Sequence, residues 1–566
     1  MNTLIKRLDM KRMNSALALL AGSIILVSCG GPAPLVSTPI ENVDALPLKE
    51  ADLTEAQYKN WMNTDLISDT IPGMSVDKAY AELLQGRKGS KVIVGVIDSG
   101  VDIEHEDLAE VIWVNKDEVP GNGIDDDKNG YIDDVHGWNF LGDIVKENME
   151  YVRYIKRFKA KFEGKTEGQI SANDMDDWNI YNKALAEYEK DKAEADNVVT
   201  RYNGILGQVK PAHEAMAAKL GKEDYSAADL AGIENPSATE QQQIGMLSQM
   251  LGFADTVPEV IELLTGGVEY FEGRLSSHFN METNFRETLG DDPDDFSSKF
   301  YGNGDVDGPD PKKEDASHGT HVSGIIAAVR NNGIGMNGVA DNAEIMVVRA
   351  VPDGDEYDKD IALAIRYAVD NGAKVINSSF GKYYSPHPEW VWDAIKYASD
   401  NDVLIVNAAG NEGLDLDGIQ VYPNDQKVGE STEIGNTFIT IGALNYDYGS
   451  ELVASFSNYG KTSVDVFSPG VKIYSTMPLN EYDYQQGTSM AAPAVAGVAA
   501  VIRSYYPSLS ASEVKQILID SGLTSNATVI LGGDESNTDK FANISTSGKM
   551  VNMYNAILMA DQRSRK

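Results

Sequence analysis

Residues 91–97, KVIVGVI, form an unbroken apolar run that stops at Asp98-Ser99-Gly100, and similar runs recur at 343–350, 373–380, 403–410 and 437–444. A strand with one wet face alternates apolar and polar residues, so runs without alternation belong to strands buried on both faces, as in parallel sheets covered by helices. Helical patterns lie between several of the runs, IALAIRYAVDNG and VWDAIKYASDND among them, each ending near Asn or Gly. The expected fold is therefore α/β, a doubly wound and mostly parallel sheet. Such sheets collect their functional groups at the C-terminal ends of strands, where Asp98 and Asn411 fall.

Residues 143–298 have another texture. Tyr151, Tyr154, Phe158 and Phe162 recur at helical spacing, as do Trp178, Tyr181, Leu185 and Tyr188, on a charged background with few strand-like runs. This predicts an inserted all-α domain whose aromatic stripes form its own core. It splits the α/β part into residues 61–142 and 299–566. A partner protein docking on the inserted helices is one expectation for its role.

In QGTSMAAPAVAG, residues 486–497, Ser489 stands where a helix of small residues begins. A serine hydroxyl is a weak nucleophile unless a base takes its proton and donors receive the oxyanion. Of the seven histidines, His318 in SHGTHVSGIIAAV opens a small-residue helix and faces the loop side. A carboxylate at a strand end, Asp98, completes the set by fixing the imidazole tautomer.

The segments VIDSGVD around Asp98, HGTHVSG from His318, AAGNEG around Asn411 and GTSMAAP around Ser489 resemble the signature blocks of the subtilisin-like serine proteases, in the same chain order. The resemblance implies a subtilisin-like sheet and hydrolysis of peptide or protein substrates through an acyl-enzyme on Ser489. His318 would be general base, Asp98 its orienting carboxylate and Asn411 an oxyanion donor. It also implies that Ser379, Phe380 and Gly381 wall the primary specificity pocket, with Glu412 at its rim. The acidic stretch DGDEYD, 353–358, would fall near the opposite substrate-binding strand, either selecting basic peptides or, as the simpler expectation, forming solvated surface. A rival expectation is a non-catalytic peptide-binding lipoprotein with a protease-like fold; retention of the whole catalytic set counts against it.

The chain carries 87 acidic against 48 basic residues, a formal charge of −39, which repels nucleic acid and anionic lipid. Some of that acid has metal-ligand spacing. In DDDKNGYIDD, Asp125, Asp127, Asn129 and Asp133 are placed like the first ligands of a Ca²⁺ loop, with Gly130 at the turn. The twelfth position is His136 rather than a closing glutamate, so a solvated acidic turn remains the alternative. Family resemblance separately implies a structural Ca²⁺ site at Asp107, Asn332, Ile334 and Met336.

Lys6, Arg7, Lys11 and Arg12 precede an apolar run from Ala16 to Val27, too short for a comfortable membrane span, and Leu-Val-Ser-Cys follows. This resembles a bacterial lipoprotein signal, with residues 1–28 removed, Cys29 acylated and residues 29–60 a tether and short N-terminal segment. The expected location is extracytoplasmic, anchored to the cell envelope. Cys29 is the sole cysteine, so no intramolecular disulfide can form and packing or metal must stabilise the fold.

Overall fold

The computed structural model describes residues 34–41, 43–45, 52–427 and 432–566; the expected signal and Cys29 lie outside them. Its strands are β1 (Val92–Asp98), β2 (Gly137–Asn139), β3 (Ala343–Arg349), β4 (Val375–Ser378), β5 (Leu404–Ala408), β6 (Phe438–Leu444), β7 (Val466–Pro469), β8 (Ile473–Met477), β9 (Glu481–Gln485), β10 (Leu523–Thr524), β11 (Thr528–Leu531), β12 (Asp534–Lys540) and β13 (Lys549–Met550). Nine of them form one sheet in the order β10-β13-β7-β6-β5-β4-β1-β3-β2. Only the β10–β13 pair in it is antiparallel. The pairs β8–β9 and β11–β12 are separate hairpins.

The principal helices are α1 (Glu150–Phe162), α2 (Met175–Leu220), α3 (Ala238–Met250), α4 (Val257–Ser276), α5 (Ser317–Ala327), α6 (Asp358–Asp370), α7 (Pro388–Asp400), α8 (Thr488–Tyr505), α9 (Ala511–Ser521) and α10 (Met553–Arg563). Consecutive strand residues enter different cores. Val94, Val96, Ile345 and Val347 join the core that contains α5 and α8, whereas Ile97, Met346, Val348 and Ile376 join the one that contains α6 and α7. Both faces are thus covered, and the apolar runs of the sequence are unbroken for that reason. β1 lies between β4 and β3, where the winding direction reverses. The crevice at such a reversal, beyond the strand C-termini, is where α/β folds place ligands.

Residues 150–276 contain helices α1 to α4 and no strand among them. Tyr151, Tyr154, Phe162, Tyr181 and Phe279 make one apolar core, and Val209, Met216, Leu247 and Val257 a second, further along α2. The first core also takes in Tyr384, from the segment after β4, so the helical region shares its interior with the α/β body.

Residues 35–40, in the stretch read as a tether and short N-terminal segment, are bonded to α10. The Leu35 N–H donates to Asp561 Oδ2 at 3.0 Å, and Ile40 exchanges hydrogen bonds with the Asn555 side chain at 2.8 and 2.9 Å. Polar side chains on α10 satisfy this backbone and hold it in place. No helix among the described residues is long and apolar enough to cross a membrane.

Candidate active site

Asp98 is the last residue of β1 and His318 the second of α5. They come together because Gly319 permits close approach: a Cβ there would lie 2.1 Å from the Gly100 carbonyl oxygen. His318 Nδ1 is 2.7 Å from Asp98 Oδ1, which also accepts the Ser99 N–H at 2.8 Å. Asp98 is 2% exposed, while 36% of the His318 side chain faces solvent. Burial opposes charging of His318, but the Asp98 carboxylate and its hydrogen bond outweigh it and raise the imidazole pKa above the ordinary value. Nδ1 therefore carries a proton toward Asp98, leaving Nε2 as the basic nitrogen.

Ser489 lies in the first turn of α8, directly after Gly487 and Thr488. Gly487 has φ +154°, a conformation that side chains resist, and the turn it makes aims the helix N-terminus at the crevice. Ser489 Oγ donates to the Ser379 carbonyl oxygen at 3.1 Å, so its rotamer must turn before its proton reaches His318. The Ser489 carbonyl in turn accepts the Ser379 hydroxyl at 2.9 Å, and that hydroxyl is held by Asn377 Nδ2 at 2.9 Å.

Asn411 follows β5. Its Oδ1 accepts from the Thr488 N–H at 2.8 Å and the Thr488 hydroxyl at 3.0 Å, which leaves Nδ2 as the free donor beside the turn. Thr488 Oγ1 also accepts the Gly410 N–H at 3.0 Å. Thr488 thus orients Asn411, a role the sequence reading did not assign; its place between Gly487 and Ser489 was the available signal.

A cleft of about 230 Å³ opens beside Ser489 and Asn411, walled by Val351, Gly354, Asp355 and Glu356 after β3 and by Phe380, Gly381 and Tyr383 after β4. Glu412 lines it as well, with its Oε2 accepting from Asn458 Nδ2 at 2.9 Å and from the Tyr383 hydroxyl. The Ser379 side chain bonds to the Ser489 backbone, and its neighbours Phe380 and Gly381 line the cleft. The acidic stretch departs from expectation. Asp355, Glu356 and Asp358 are buried, not solvated, because Arg153 and Lys382 reach them from elsewhere in the chain. Burial pushes the Glu356 carboxyl up to about 7, with repulsion from Asp355 adding to it and Lys382 opposing.

At the acidic loop, Glu118, Asp125 and Asp127 place carboxylate oxygens within 4.8 Å of one another. Asn129 is tied to both aspartates through its N–H, at 3.1 and 2.9 Å. Asp133 is not part of this group. Its φ of +56° turns the side chain back onto the Asn122 and Gly123 N–H groups, and Asp134 instead accepts from Asn129 and Asn115. Glu118 lay outside the expected spacing, seven positions before Asp125, and is found only in the folded loop. At the second expected site, Asp107 accepts from Asn332 Nδ2 at 2.6 Å and from the Met336 N–H at 3.2 Å. Ile334 lies in the same loop, its N–H on Asn332 Oδ1 at 3.1 Å.

A carboxylate-bound imidazole, a serine at a helix N-terminus and a carboxamide held at the same turn form a site suited to serine-nucleophile chemistry. A profile of the subtilase family (peptidase S8) matches residues 89–544, and the chain belongs to that family. It is 44% identical over 190 residues to the thermophilic serine proteinase of Bacillus sp. (strain AK1), which is 33% of this chain and 43% of that one. It is 35% identical over 227 residues to subtilisin BL of Lederbergia lenta, covering 39% of this chain and 77% of the relative. The chain thus spans less than half the length of the first relative and about three quarters of the second.

Proposed function

We propose that the protein is a serine endopeptidase that cleaves peptide or protein substrates by way of an acyl-enzyme on Ser489. The Asp98–His318 pair at 2.7 Å carries this reading. Ser489 Oγ leaves the Ser379 carbonyl and attacks the scissile carbonyl carbon while His318 Nε2 takes its proton. Asp98 stabilises the imidazolium through Nδ1. The negative oxygen of the tetrahedral intermediate is received by Asn411 Nδ2 and the Ser489 N–H. His318 then protonates the leaving amine, and water hydrolyses the ester by the same steps in reverse order. Labelling the purified full-length protein with a fluorophosphonate, followed by peptide mapping, tests the reading; an adduct on Ser489 supports it, and a folded but unlabelled protein refutes it.

Asn411→Leu is expected to lower kcat by about 10²–10³-fold, the cost of one lost oxyanion donor as measured in a subtilisin, with little change in KM. A loss expressed in KM instead would place Asn411 in ground-state binding. The pH profile supplies another check. Protonated His318 cannot accept the serine proton, so kcat/KM falls as pH drops through the His318 pKa. Because Asp98 raises that pKa, the inflection is expected above the ordinary histidine value of 6.5. An inflection below that value would contradict the ion pair.

Calcium is proposed at the acidic loop, held by Glu118, Asp125, Asp127 and Asn129. Glu118 Oε2 is buried there without a hydrogen-bond partner, which suits a hard cation. Asp107 with Asn332 and the carbonyls of Ile334 and Met336 is proposed as a second holder. Such an ion supplies structural cross-linking rather than chemistry. Binding only to the folded state at a hundredfold excess over Kd adds about 2.7 kcal/mol of stability, so chelation is expected to lower Tm and Ca²⁺ to restore it. Identical melts with and without Ca²⁺ would remove both sites.

Attachment to the cell envelope through an acylated Cys29 is proposed from the charged and apolar pattern before it. Mass spectrometry of the mature N-terminus checks it, since an unmodified cysteine or a cut elsewhere would rule it out.

A further inference from the structure

The two walls of the cleft are held by the helical region rather than by the sheet alone. One wall follows β3 at residues 351–358, and the other follows β4 at residues 379–384. Helix α1 bonds to both. The Glu150 N–H donates to Asp355 Oδ2 at 2.7 Å, and the Arg153 guanidinium donates to the carbonyl oxygens of Asp355 at 2.8 Å and Glu356 at 3.0 Å. The same guanidinium lies 3.9 Å over the Tyr357 ring. From the opposite wall, Lys382 Nζ reaches Glu150 Oε2 at 2.9 Å, Asp358 Oδ1 at 2.9 Å and the Glu356 carbonyl at 2.7 Å.

Tyr384 continues this second wall into the helical core. Its ring packs against Tyr151 and Tyr154, and its hydroxyl donates to Glu187 Oε2 on α2 at 2.6 Å. Beyond the helices, Arg286 makes a bidentate pair with Asp360 on α6, both bonds at 2.7 Å. The helical region is therefore fastened by α1 to the first wall just before α6, and beyond its helices by Arg286 to α6 itself. Glu150, Lys382 and Asp360 are at most 3% exposed. A buried ion pair tolerates little displacement, because losing a partner leaves a bare charge out of water. Backbone carbonyls gripped by a guanidinium fork share that stiffness.

We propose that helix α1 is a brace that fixes the spacing of the two cleft walls, with Arg153 as the positioning residue through which the helical region governs binding of extended peptides. The proposal rests on the reading of this cleft as the substrate site. Arg153 donates to the wall from behind, so its effect falls on substrates long enough to lie along both walls and spares reagents that meet only Ser489 and His318.

The test uses Arg153→Lys in the full-length protein, which keeps the charge and loses the fork. Hydrolysis of a six-residue peptide amide is compared with that of a small acyl ester, and hydrogen exchange is followed by mass spectrometry across both walls. The expected result is a fall in kcat/KM of about 10-fold or more for the peptide, carried mainly by KM, with the ester within about 2-fold of the parent. Residues 351–358 and 379–384 should lose exchange protection together. Equal losses on peptide and ester, or protection lost on one wall alone, would overturn the brace. Should the parent hydrolyse neither substrate, the endopeptidase reading fails, while the exchange data still decide whether α1 couples the walls. Should Arg153→Lys not fold, Glu150→Gln keeps the backbone donor to Asp355 and removes the carboxylate that Arg153 and Lys382 share. Protection is then expected to fall at 351–358 and 379–384 together, and an unchanged 379–384 would equally overturn the proposal.

Discussion

Ser489→Ala is expected to lower kcat by about 10⁶-fold, the scale found when the nucleophile of a subtilisin is removed. The fold should survive. The hydroxyl makes one hydrogen bond, to the Ser379 carbonyl, whose loss costs about 1 kcal/mol. Gly487, Thr488 and the Ser379–Ser489 backbone clamp all remain in the variant, so the oxyanion donors stay in place. A melt close to that of the parent, together with lost peptidase activity and lost fluorophosphonate labelling, is the predicted outcome. Turnover surviving in a purified Ser489→Ala protein would mean that another group is the nucleophile.

Asp98→Asn is expected to cost about 10⁴-fold in kcat while leaving the site's geometry almost unchanged. An asparagine amide facing His318 Nδ1 donates rather than accepts, which moves the imidazole proton to Nε2. The nitrogen that must take the serine proton is then already occupied. Because Asp98 is 2% exposed and its Oδ1 already serves the Ser99 N–H, water cannot readily replace its function. The discriminating measurement is kcat at constant KM. A variant that loses substrate affinity but keeps kcat would show that Asp98 supports the cleft and not the imidazole.

The sheet was legible because both of its faces are covered: strands buried twice over write themselves as unbroken apolar runs, β3 to β6 fall within four of the runs read from the sequence, and β1 follows the fifth and extends one residue past it to Asp98. The pairing of Asp98 with His318 was legible too, since both stand at element ends that the local pattern marks. What escaped depends on neighbours far along the chain. Asp355, Glu356 and Asp358 read as solvated acid because their cations, Arg153 and Lys382, belong to other segments and no periodicity connects them. Glu118 joins Asp125 and Asp127 only because the loop folds back over its own start, and Asp133, with its left-handed backbone, bonds to the Asn122 and Gly123 N–H groups instead. Thr488 hid in plain view beside the nucleophile, as its value lies in orienting Asn411 and only the folded turn reveals it.

The hold of α10 on residues 35–40 has a geometric consequence for a chain anchored as proposed. Only five residues separate Cys29 from Leu35, and even fully stretched the six chain steps between them reach about 20 Å. The protease would stand on a short leash, its N-terminal face kept against the bilayer and its working volume limited to a thin shell above the lipid. Substrates would then be selected by height above the membrane before they are selected by sequence, and lengthening that span would widen the shell without altering the cleft.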